Sequence, residues 1–135
     1  MPTAPPAAVN RCLVALLRSP LHRLASGGLL ALTVTGRRSG RRLTLPVEYA
    51  ADGDRLIVAA VHASAKRWWR NLRGGAPVQV AWRGRAMAGT GLVLDGQAAA
   101  DALAVWAGGR RGAAAHPGPD VAVVALTDLH PVTPA

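Results

Sequence analysis

Short apolar runs, broken by glycine, aspartate and proline, follow one another along the chain from residue 29 onward. Runs of this kind, rich in β-branched side chains and bounded by turn residues, are typical of strands joined by tight turns. In the fifth run, Gly89 and Gly91 indicate a bulge or a sharp bend. The pattern predicts six strands, at residues 29–35, 43–50, 56–61, 77–82, 86–94 and 121–129.

Three other segments have helical spacing. Apolar residues at 9, 13, 16 and 17 predict an N-terminal helix, and residues 66–72 predict a short mid-chain helix before Gly74. Residues 98–106 predict a helix near the C-terminus, with a loop at 110–119 after it. The first three strands lie too close in sequence for the crossover helices of a parallel sheet. The order predicts a mainly β (α+β) fold, an antiparallel barrel or strongly coiled sheet of six or seven strands.

The length of 135 residues fits one domain, which we assign to residues 8–135 after a flexible Pro/Ala-rich lead at residues 1–7. Cys12 is the only cysteine, and no His/Cys group has metal-ligand spacing, so we expect no metal and a cytoplasmic location. The apolar run at residues 12–17 is too short for a secretion signal or a membrane span. We therefore expect no transmembrane segment.

The net charge of +9 is concentrated in one part of the chain. Eleven basic residues stand against three acidic ones between Arg37 and Arg85, whereas the rest of the chain is nearly neutral. This distribution predicts a basic surface for an anionic partner, unless the arginines point apart into solvent.

Familiar catalytic motifs are absent from the sequence, which contains no G-x-S-x-G, no P-loop, no H-E-x-x-H and no paired carboxylates. We assign no catalytic residue, and of the four histidines only His62, beside the basic segment, stays open as a general base. If the protein is an enzyme, a cofactor carries the chemistry while the protein binds and orients it.

Two basic segments are candidates for the cofactor site. Residues 35–42 (TGRRSGRR) form a turn whose glycines free the backbone and whose guanidinium groups can grip phosphate; a solvated hairpin tip is an equally good interpretation. Residues 66–73 (KRWWRNLR) put four cations beside adjacent tryptophans, of which at least one must face the core. Two like-charged clusters on one surface favour an anion between them.

The stretch from LTVTGRRSGRRLTLPVEY through DGDRLIVAA to KRWWRNLRGGAPVQVAWRGR resembles the deazaflavin-dependent nitroreductase family over roughly residues 29–92. The family pattern runs T-T-G-R-K-S-G, then a Pro-containing strand, then a W-Y-x-N-L helix and a further strand. That family is similar in fold to the flavin-binding split β-barrels of the pyridoxamine-phosphate oxidase group. The resemblance therefore implies a split β-barrel that binds coenzyme F-420.

The resemblance also implies where the cofactor is held. The basic turn and the region before the Trp-containing helix would hold its phosphate and oligoglutamate tail, and the Pro-containing strand with the next strand would hold the deazaflavin ring. The matching positions are Arg37, Arg38, Ser39 and Gly40 in the turn, Leu45, Pro46 and Val47 in the second strand, Ala60 and Val61 in the third, and Lys66, Trp68 and Asn71 around the helix.

The implied activity is hydride transfer from reduced F-420 to a small electron-poor acceptor, such as a quinone, an enone or a nitro compound, with the proton coming from solvent. The chain has no tyrosine after Tyr49, unlike family members that reduce nitro compounds. Trp106, Leu103 and the loop at 110–119 are the candidates for shaping an acceptor pocket, and Glu48 sits near the ring-facing strand.

Three alternatives stay open at this point. The same barrel could hold FAD or FMN, because the basic turn suits their phosphates as well. A non-enzymatic nucleic-acid binder would use arginine for phosphate and Trp68 or Trp69 for base stacking, but we expect no nucleic acid because exposed aromatic residues are few. A binding module that lost turnover is the third, and the chain could be a monomer or a homodimer.

Overall fold

The computed structural model describes residues 28–108 and 118–132. A 3-10 turn at Ala63–Ala65 and a 3-10 helix at Trp68–Leu72, which we call the Trp helix, lie between the third and fourth strands. The other elements are β1 (Leu29–Thr35), β2 (Arg42–Asp52), β3 (Arg55–Val61), β4 (Ala76–Trp82), β5 (Arg85–Val93), α1 (Gly96–Gly108) and β6 (Val121–Pro131). All six predicted strands are confirmed.

The six strands form one closed antiparallel barrel in the order β1-β2-β3-β6-β5-β4, and β4 pairs with β1 to complete the circle. Hairpins join β1 to β2, β2 to β3 and β4 to β5. The β2–β3 hairpin turns at Gly53, whose φ of 63° suits glycine, and Arg55 binds Asp52 at 2.8 Å. The predicted antiparallel barrel is therefore confirmed.

Alternation along the strands divides the side chains between two apolar layers. Even-numbered residues of β1, β3, β4 and β6 and odd-numbered residues of β2 point into the barrel, where they form the main core. Odd-numbered residues of β3 and β6 point outward and are covered by α1, with Trp106 packed against Ile57 and Val123. The barrel is thus filled by its own side chains, and α1 covers the outside of the β3–β6 face.

The predicted bend in β5 is confirmed. The pairing of β5 with β6 shifts register between Ala88 and Thr90, so Gly89 lies at a bulge. A Cβ atom on Gly89 would lie only 2.5 Å from the Thr127 carbonyl oxygen. Glycine at this position therefore lets the two backbones approach closely.

The helices differ in part from the prediction. The segment 66–72 is a 3-10 helix of five residues, because Lys66 is extended (φ −120°, ψ 148°) and the segment is too short for a regular α-helix. The predicted helix at 98–106 is confirmed as the longer α1. The predicted N-terminal helix and most of the loop at 110–119 lie outside the described residues. Only one α-helix is present in the described ranges, so the arrangement of three helices is not confirmed.

Within the residues that the structure describes, no helix is long and apolar enough to cross a lipid bilayer.

Candidate cofactor-binding site

One end of the barrel collects the segments that the sequence singled out. The β1–β2 turn (residues 36–41), the connection between β3 and β4 (residues 62–75) and the start of β6 all lie at this end, which we call the mouth. The hairpins at residues 52–55 and 82–85 lie at the opposite end, the base. A strand of seven residues separates mouth from base by roughly 20 Å.

The basic turn is a closed loop with its own hydrogen bonds. The Gly36 N–H donates to the Arg41 carbonyl (2.8 Å) and the Gly40 N–H donates to the Gly36 carbonyl (3.0 Å). Ser39 Oγ accepts a bond from the Arg41 N–H (3.1 Å), and Gly40 adopts φ 69°. The arginine side chains are therefore presented by an ordered turn rather than by a loose hairpin tip.

Asn71 joins this turn to the Trp helix. Its Oδ1 accepts a bond from the Arg37 backbone N–H (3.0 Å), and its Nδ2 donates to the Trp68 carbonyl (3.2 Å). The Arg37 guanidinium also donates to the Arg73 carbonyl, near Gly74. The two basic segments are thus in direct contact, and Asn71 and Arg37 hold them together.

The Trp helix closes the mouth from above. Leu72 is fully buried, and both Trp68 and Trp69 are about nine-tenths buried in the main core. The Trp69 indole N–H donates to the Ala63 carbonyl (2.9 Å). Gly91 on β5 leaves room for Leu72, because a Cβ at that position would lie 3.0 Å from a Leu72 methyl carbon. The prediction that at least one tryptophan faces the core is confirmed for both.

Arginines cover the remaining edge of Trp69. The guanidinium carbons of Arg70 and Arg73 lie 5.5 Å and 5.0 Å from the centre of the Trp69 ring, within cation-π distance. Because both neighbouring tryptophans are buried and one is already covered by cations, neither offers an open face for base stacking. The surface at the mouth is therefore cationic rather than aromatic.

Positive charge at the mouth has no carboxylate partner in the structure. The structure describes all seven acidic residues of the chain. Among the described residues they form a single ion pair, between Asp52 and Arg55 at the base. Lys66 is partly buried, and this burial lowers the pKa of its ammonium group. A partly desolvated lysine among uncompensated arginines is an arrangement that an anionic ligand would stabilise.

The barrel wall is incomplete between β2 and β3 near the mouth. The ladder between these strands contains only four pairs, from Asp52–Arg55 at the base to Tyr49–Val58. Beyond them, β2 continues to pair with β1 and β3 continues to pair with β6. We call the stretch where residues 44–48 and residues 59–61 do not pair with each other the seam.

Strand alternation shows which backbone groups face the seam. Because the Tyr49 N–H donates to the Gly28 carbonyl on the β1 side (3.1 Å), the backbone groups of Pro46 and Glu48 point toward β3. Asp52 and Arg55 close the two-residue hairpin as a hydrogen-bonded pair, so the backbone groups of the odd-numbered residues of β3, Val61 included, point toward β2. The seam is thus bordered by backbone groups of Pro46 and Val61 that form no pair between β2 and β3, which suits a planar heterocycle with polar edges.

The predicted site residues fall into three groups. Residues of the first group point inward, belong to the main core and close the seam from inside. Residues of the second group point to the outside of the barrel. Residues of the third group lie at the mouth, in and around the two basic segments. They are Leu45, Val47, Ala60 and Trp68 in the first, Pro46 and Val61 in the second, and Arg37, Arg38, Ser39, Gly40, Lys66 and Asn71 in the third.

A polar latch borders the seam on the β6 side. Asp120 accepts bonds from Ser64 Oγ (2.5 Å) and from the Ser64 backbone N–H (3.1 Å). The bond from the Ser64 hydroxyl, with smaller contributions from the Ser64 N–H and from His62, lowers the pKa of Asp120 despite the opposing effect of desolvation. His62 itself adopts a left-handed conformation (φ 58°) directly after Val61. The latch fixes the path of the chain as it leaves β3.

Two cavities of the described residues lie away from the seam. One of about 380 Å³ lies outside the barrel against β1, β4, β5 and β6, between Arg42 and His130. The other, of about 430 Å³, lies at the mouth between Trp69, Arg73 and Asp95. Both are open surface grooves, whereas the seam lies between the backbones of β2 and β3. The polar backbone edges, and not cavity size, therefore identify the seam as the candidate site.

Several functional features were missed by sequence reasoning. Trp106 was expected to shape a pocket but is fully packed, and its indole N–H donates to the Glu48 carbonyl (3.2 Å). Leu43 is half exposed at the mouth end of β2, on the same side of the strand as Leu45. The pairing of Ser64 with Asp120 joins residues 56 positions apart. Only Leu43 had a local signal, the odd-even alternation of β2.

The barrel, the seam and the cationic mouth define the chain as a split β-barrel, and two solved structures with TM-scores above 0.5 agree with this fold. A provisional pyridoxamine 5′-phosphate oxidase from Listeria innocua is 10% identical, with 92% of this chain and 98% of that chain covered and a TM-score of 0.53. HupZ from Group A Streptococcus is 16% identical, with 86% and 99% covered and a TM-score of 0.51. An F-420 reductase is 19% identical, with 88% and 92% covered and a TM-score of 0.42.

The sequence model of the F-420H(2)-dependent quinone reductase family matches residues 18–112, which is more than half of the chain. The chain therefore belongs to this family and is an oxidoreductase that depends on F-420. A search of curated proteins gave no match.

Proposed function

We propose that this protein reduces a small electron-poor acceptor, a quinone, an enone or a nitro compound, with reduced F-420 held at the mouth and in the seam. One observation carries the proposal: uncompensated cations at the mouth adjoin a seam where β2 and β3 do not pair with each other. An elongated ligand with an acidic tail and a flat polar ring matches both parts. Membership of the quinone reductase family favours a quinone among the three acceptors.

The residues present fit such a cofactor. Arg38 is exposed and makes no hydrogen bond or ion pair in the described structure, so its guanidinium is available for a phosphate or a carboxylate. Lys66 loses part of its hydration in the fold and would regain favourable interactions beside an anion. In the seam, the backbone groups of Val61 and the carbonyl of Pro46 would bind the polar edge of the ring.

When bound, reduced deazaflavin supplies a hydride to the acceptor. The chain's part is to position the ring and to keep its inner face dry, because Leu45, Val47 and Ala60 close the seam toward the core. Leu43 extends this apolar surface at the mouth. A proton for the reduced acceptor comes from solvent, so no side chain needs to act as an acid or base.

Binding of F-420 tests the proposal most directly. We expect purified protein to change the fluorescence of F-420 on titration, and Arg38→Ala to raise the Kd about three- to tenfold, since one exposed charge contact contributes about 0.7–1.4 kcal/mol. Arg85→Ala at the base removes the same charge from an exposed strand position and is the matched control. Its Kd should equal that of the unchanged protein.

Parallel titrations with FMN and FAD distinguish the cofactors. Tighter binding of FMN or FAD than of F-420 would replace the deazaflavin proposal with its flavin alternative. Equal effects of Arg38→Ala and Arg85→Ala would mean that net charge, and not the mouth, governs binding. Turnover of menadione with reduced F-420, compared with a nitroaromatic and a cyclic enone, then ranks the acceptor classes.

A further inference from the structure

We propose that Lys66 is a modification site, at which an acyl phosphate transfers its acyl group to the side-chain amine. The reagent belongs to the class of small carboxylic acids that are activated as a mixed anhydride with phosphate. The inference goes beyond the proposed function, and only its last step, the effect on cofactor binding, rests on that function.

Lys66 is chemically unique among the basic side chains of the sequence. The sixteen lysine and arginine residues include this single lysine, and all the others are arginines. An arginine guanidinium stays protonated in proteins and offers no free electron pair, whereas a lysine amine can attack an acyl carbon once it has lost its proton. The chain therefore carries its one basic side chain that can be acylated at the mouth, directly before Arg67.

The surroundings of Lys66 favour the reactive form of its amine. The residue is partly buried, and this burial lowers the pKa of the ammonium group, so that more of the amine is unprotonated at a given pH. A carboxylate partner would hold the ammonium group in its charged form. Among the described residues Lys66 has no such partner, because the one ion pair there lies at the base.

The groups around Lys66 suit the phosphate half of the reagent. Arg67 follows it directly, is exposed, and forms no side-chain hydrogen bond or ion pair in the described structure. Asn71 of the Trp helix binds the Arg37 N–H, and this contact places the basic turn with Arg38 beside the same helix. Guanidinium groups bind phosphate oxygens through paired N–H donors. A phosphate group held by these cations would bring its acyl carbon to the amine.

The transfer is a complete and redox-neutral step. The free amine of Lys66 attacks the acyl carbon, and the bond from that carbon to the phosphate oxygen breaks. Inorganic phosphate leaves with the electron pair, and the proton that the nitrogen loses goes to solvent. The arginines that bind the phosphate stabilise the charge that develops on it as it leaves. The product is a neutral amide at position 66.

Acetyl phosphate is the probe, and a second lysine serves as an internal reference. Arg85→Lys introduces this lysine at an exposed strand position at the base. The protein is treated with acetyl phosphate and, separately, with the uncharged acetyl ester of N-hydroxysuccinimide. Mass spectrometry of peptides then gives the ratio of the acetylation rates at positions 66 and 85. Because one charge contact contributes about three- to tenfold, the ratio with acetyl phosphate should exceed the ratio with the ester by about that factor.

Variants at the mouth identify the source of this selectivity. Removing either cation, by Arg67→Ala or by Arg38→Ala in the Arg85→Lys background, should lower the ratio for acetyl phosphate and leave the ratio for the ester unchanged. Inorganic phosphate should protect position 66 more than chloride does at equal ionic strength. Equal ratios for the two reagents, or a ratio for acetyl phosphate that neither variant changes, would overturn the proposal.

Titration with F-420 separates this inference from the proposed function. Acetylated protein should bind F-420 about three- to tenfold more weakly, because the amide removes one positive charge from the mouth. Lys66→Arg keeps the charge and cannot be acetylated at this position, so its Kd for F-420 should be the same before and after treatment.

The two failures are distinguishable. If position 66 is acetylated selectively and F-420 binding is unchanged, the modification site stands, and the last step of the inference is wrong because Lys66 does not contact the cofactor. If the untreated protein does not bind F-420, the proposed function fails. The acetylation ratios, which are measured without F-420, then still decide whether Lys66 is a modification site.

Discussion

The fit of Leu72 against Gly91 gives the sharpest test of how the Trp helix is anchored. Leu72 is fully buried, so Leu72→Ala should lower the free energy of unfolding by about 2–5 kcal/mol. This loss combines the lost burial of the removed methyl groups with the cost of the cavity that they leave. Gly91→Ala places a methyl carbon 2.9 Å from a Val78 methyl and 3.0 and 3.2 Å from the two Leu72 methyl carbons. Ordinary carbon contacts are near 3.5–4.0 Å, so this overpacking should cost about 1–3 kcal/mol.

Combining the two substitutions should recover part of this loss. Two of the three close contacts at residue 91 disappear with the leucine side chain, and the new methyl group partly fills the space it leaves. We therefore expect the double variant to be more stable than the sum of the single effects predicts, by about 1–3 kcal/mol.

Urea unfolding followed by circular dichroism and tryptophan fluorescence measures this coupling, provided that the m-value is the same for all four proteins. Additivity within about 0.5 kcal/mol would show that residues 72 and 91 do not touch in the way described, and that the Trp helix is anchored elsewhere.

Three other results are expected. Asn71→Ala removes the bond from the Arg37 N–H that joins the Trp helix to the basic turn, together with a bond inside the helix, and it should weaken F-420 binding at least fivefold in a fluorescence titration; unchanged binding would show that the turn keeps its shape without Asn71. Because the pKa of Asp120 is lowered in the fold, its stabilising effect is present above the ordinary value of 3.8 and is lost as the pH falls through the folded pKa. Asp120→Asn should therefore reduce the difference in Tm between pH 6 and pH 3. If that difference is unchanged, the bonds between Asp120 and Ser64 do not cause the pH dependence of the stability. Phosphate should raise the Tm of cofactor-free protein more than chloride at equal ionic strength, and Arg38→Ala should reduce this gain while Arg85→Ala does not.

The sequence predicted the six strands because each carries its own alternation and is bounded by turn residues, so the information is local. The bulge at Gly89 was predicted for the same reason. The 3-10 form of the Trp helix was not, because its apolar residues are anchored by the barrel mouth rather than by helical periodicity. Core packing of one of Trp68 and Trp69 followed from their adjacency, but the burial of both and the cover of arginines on Trp69 did not.

The candidate site was predictable only as two basic segments. That they meet depends on Asn71 and Arg37, which lie 34 positions apart, and no local pattern shows such a contact. The seam was equally hidden, since it is defined by pairs that are not made between β2 and β3. Pro46 was the one visible signal, because a proline inside a strand indicates an edge.

The unmade rungs between β2 and β3 also expose the protein to self-association. A length of strand with free backbone donors and acceptors is a template on which the strand of another molecule can add. On the β2 side Pro46 blunts this edge, but residues 59–61 on the β3 side carry neither proline nor charge. A ligand lying in the slit would cap both edges at once. We therefore expect concentrated cofactor-free protein to aggregate faster than protein with bound cofactor. The cofactor would then protect the protein from aggregation in addition to supplying the hydride.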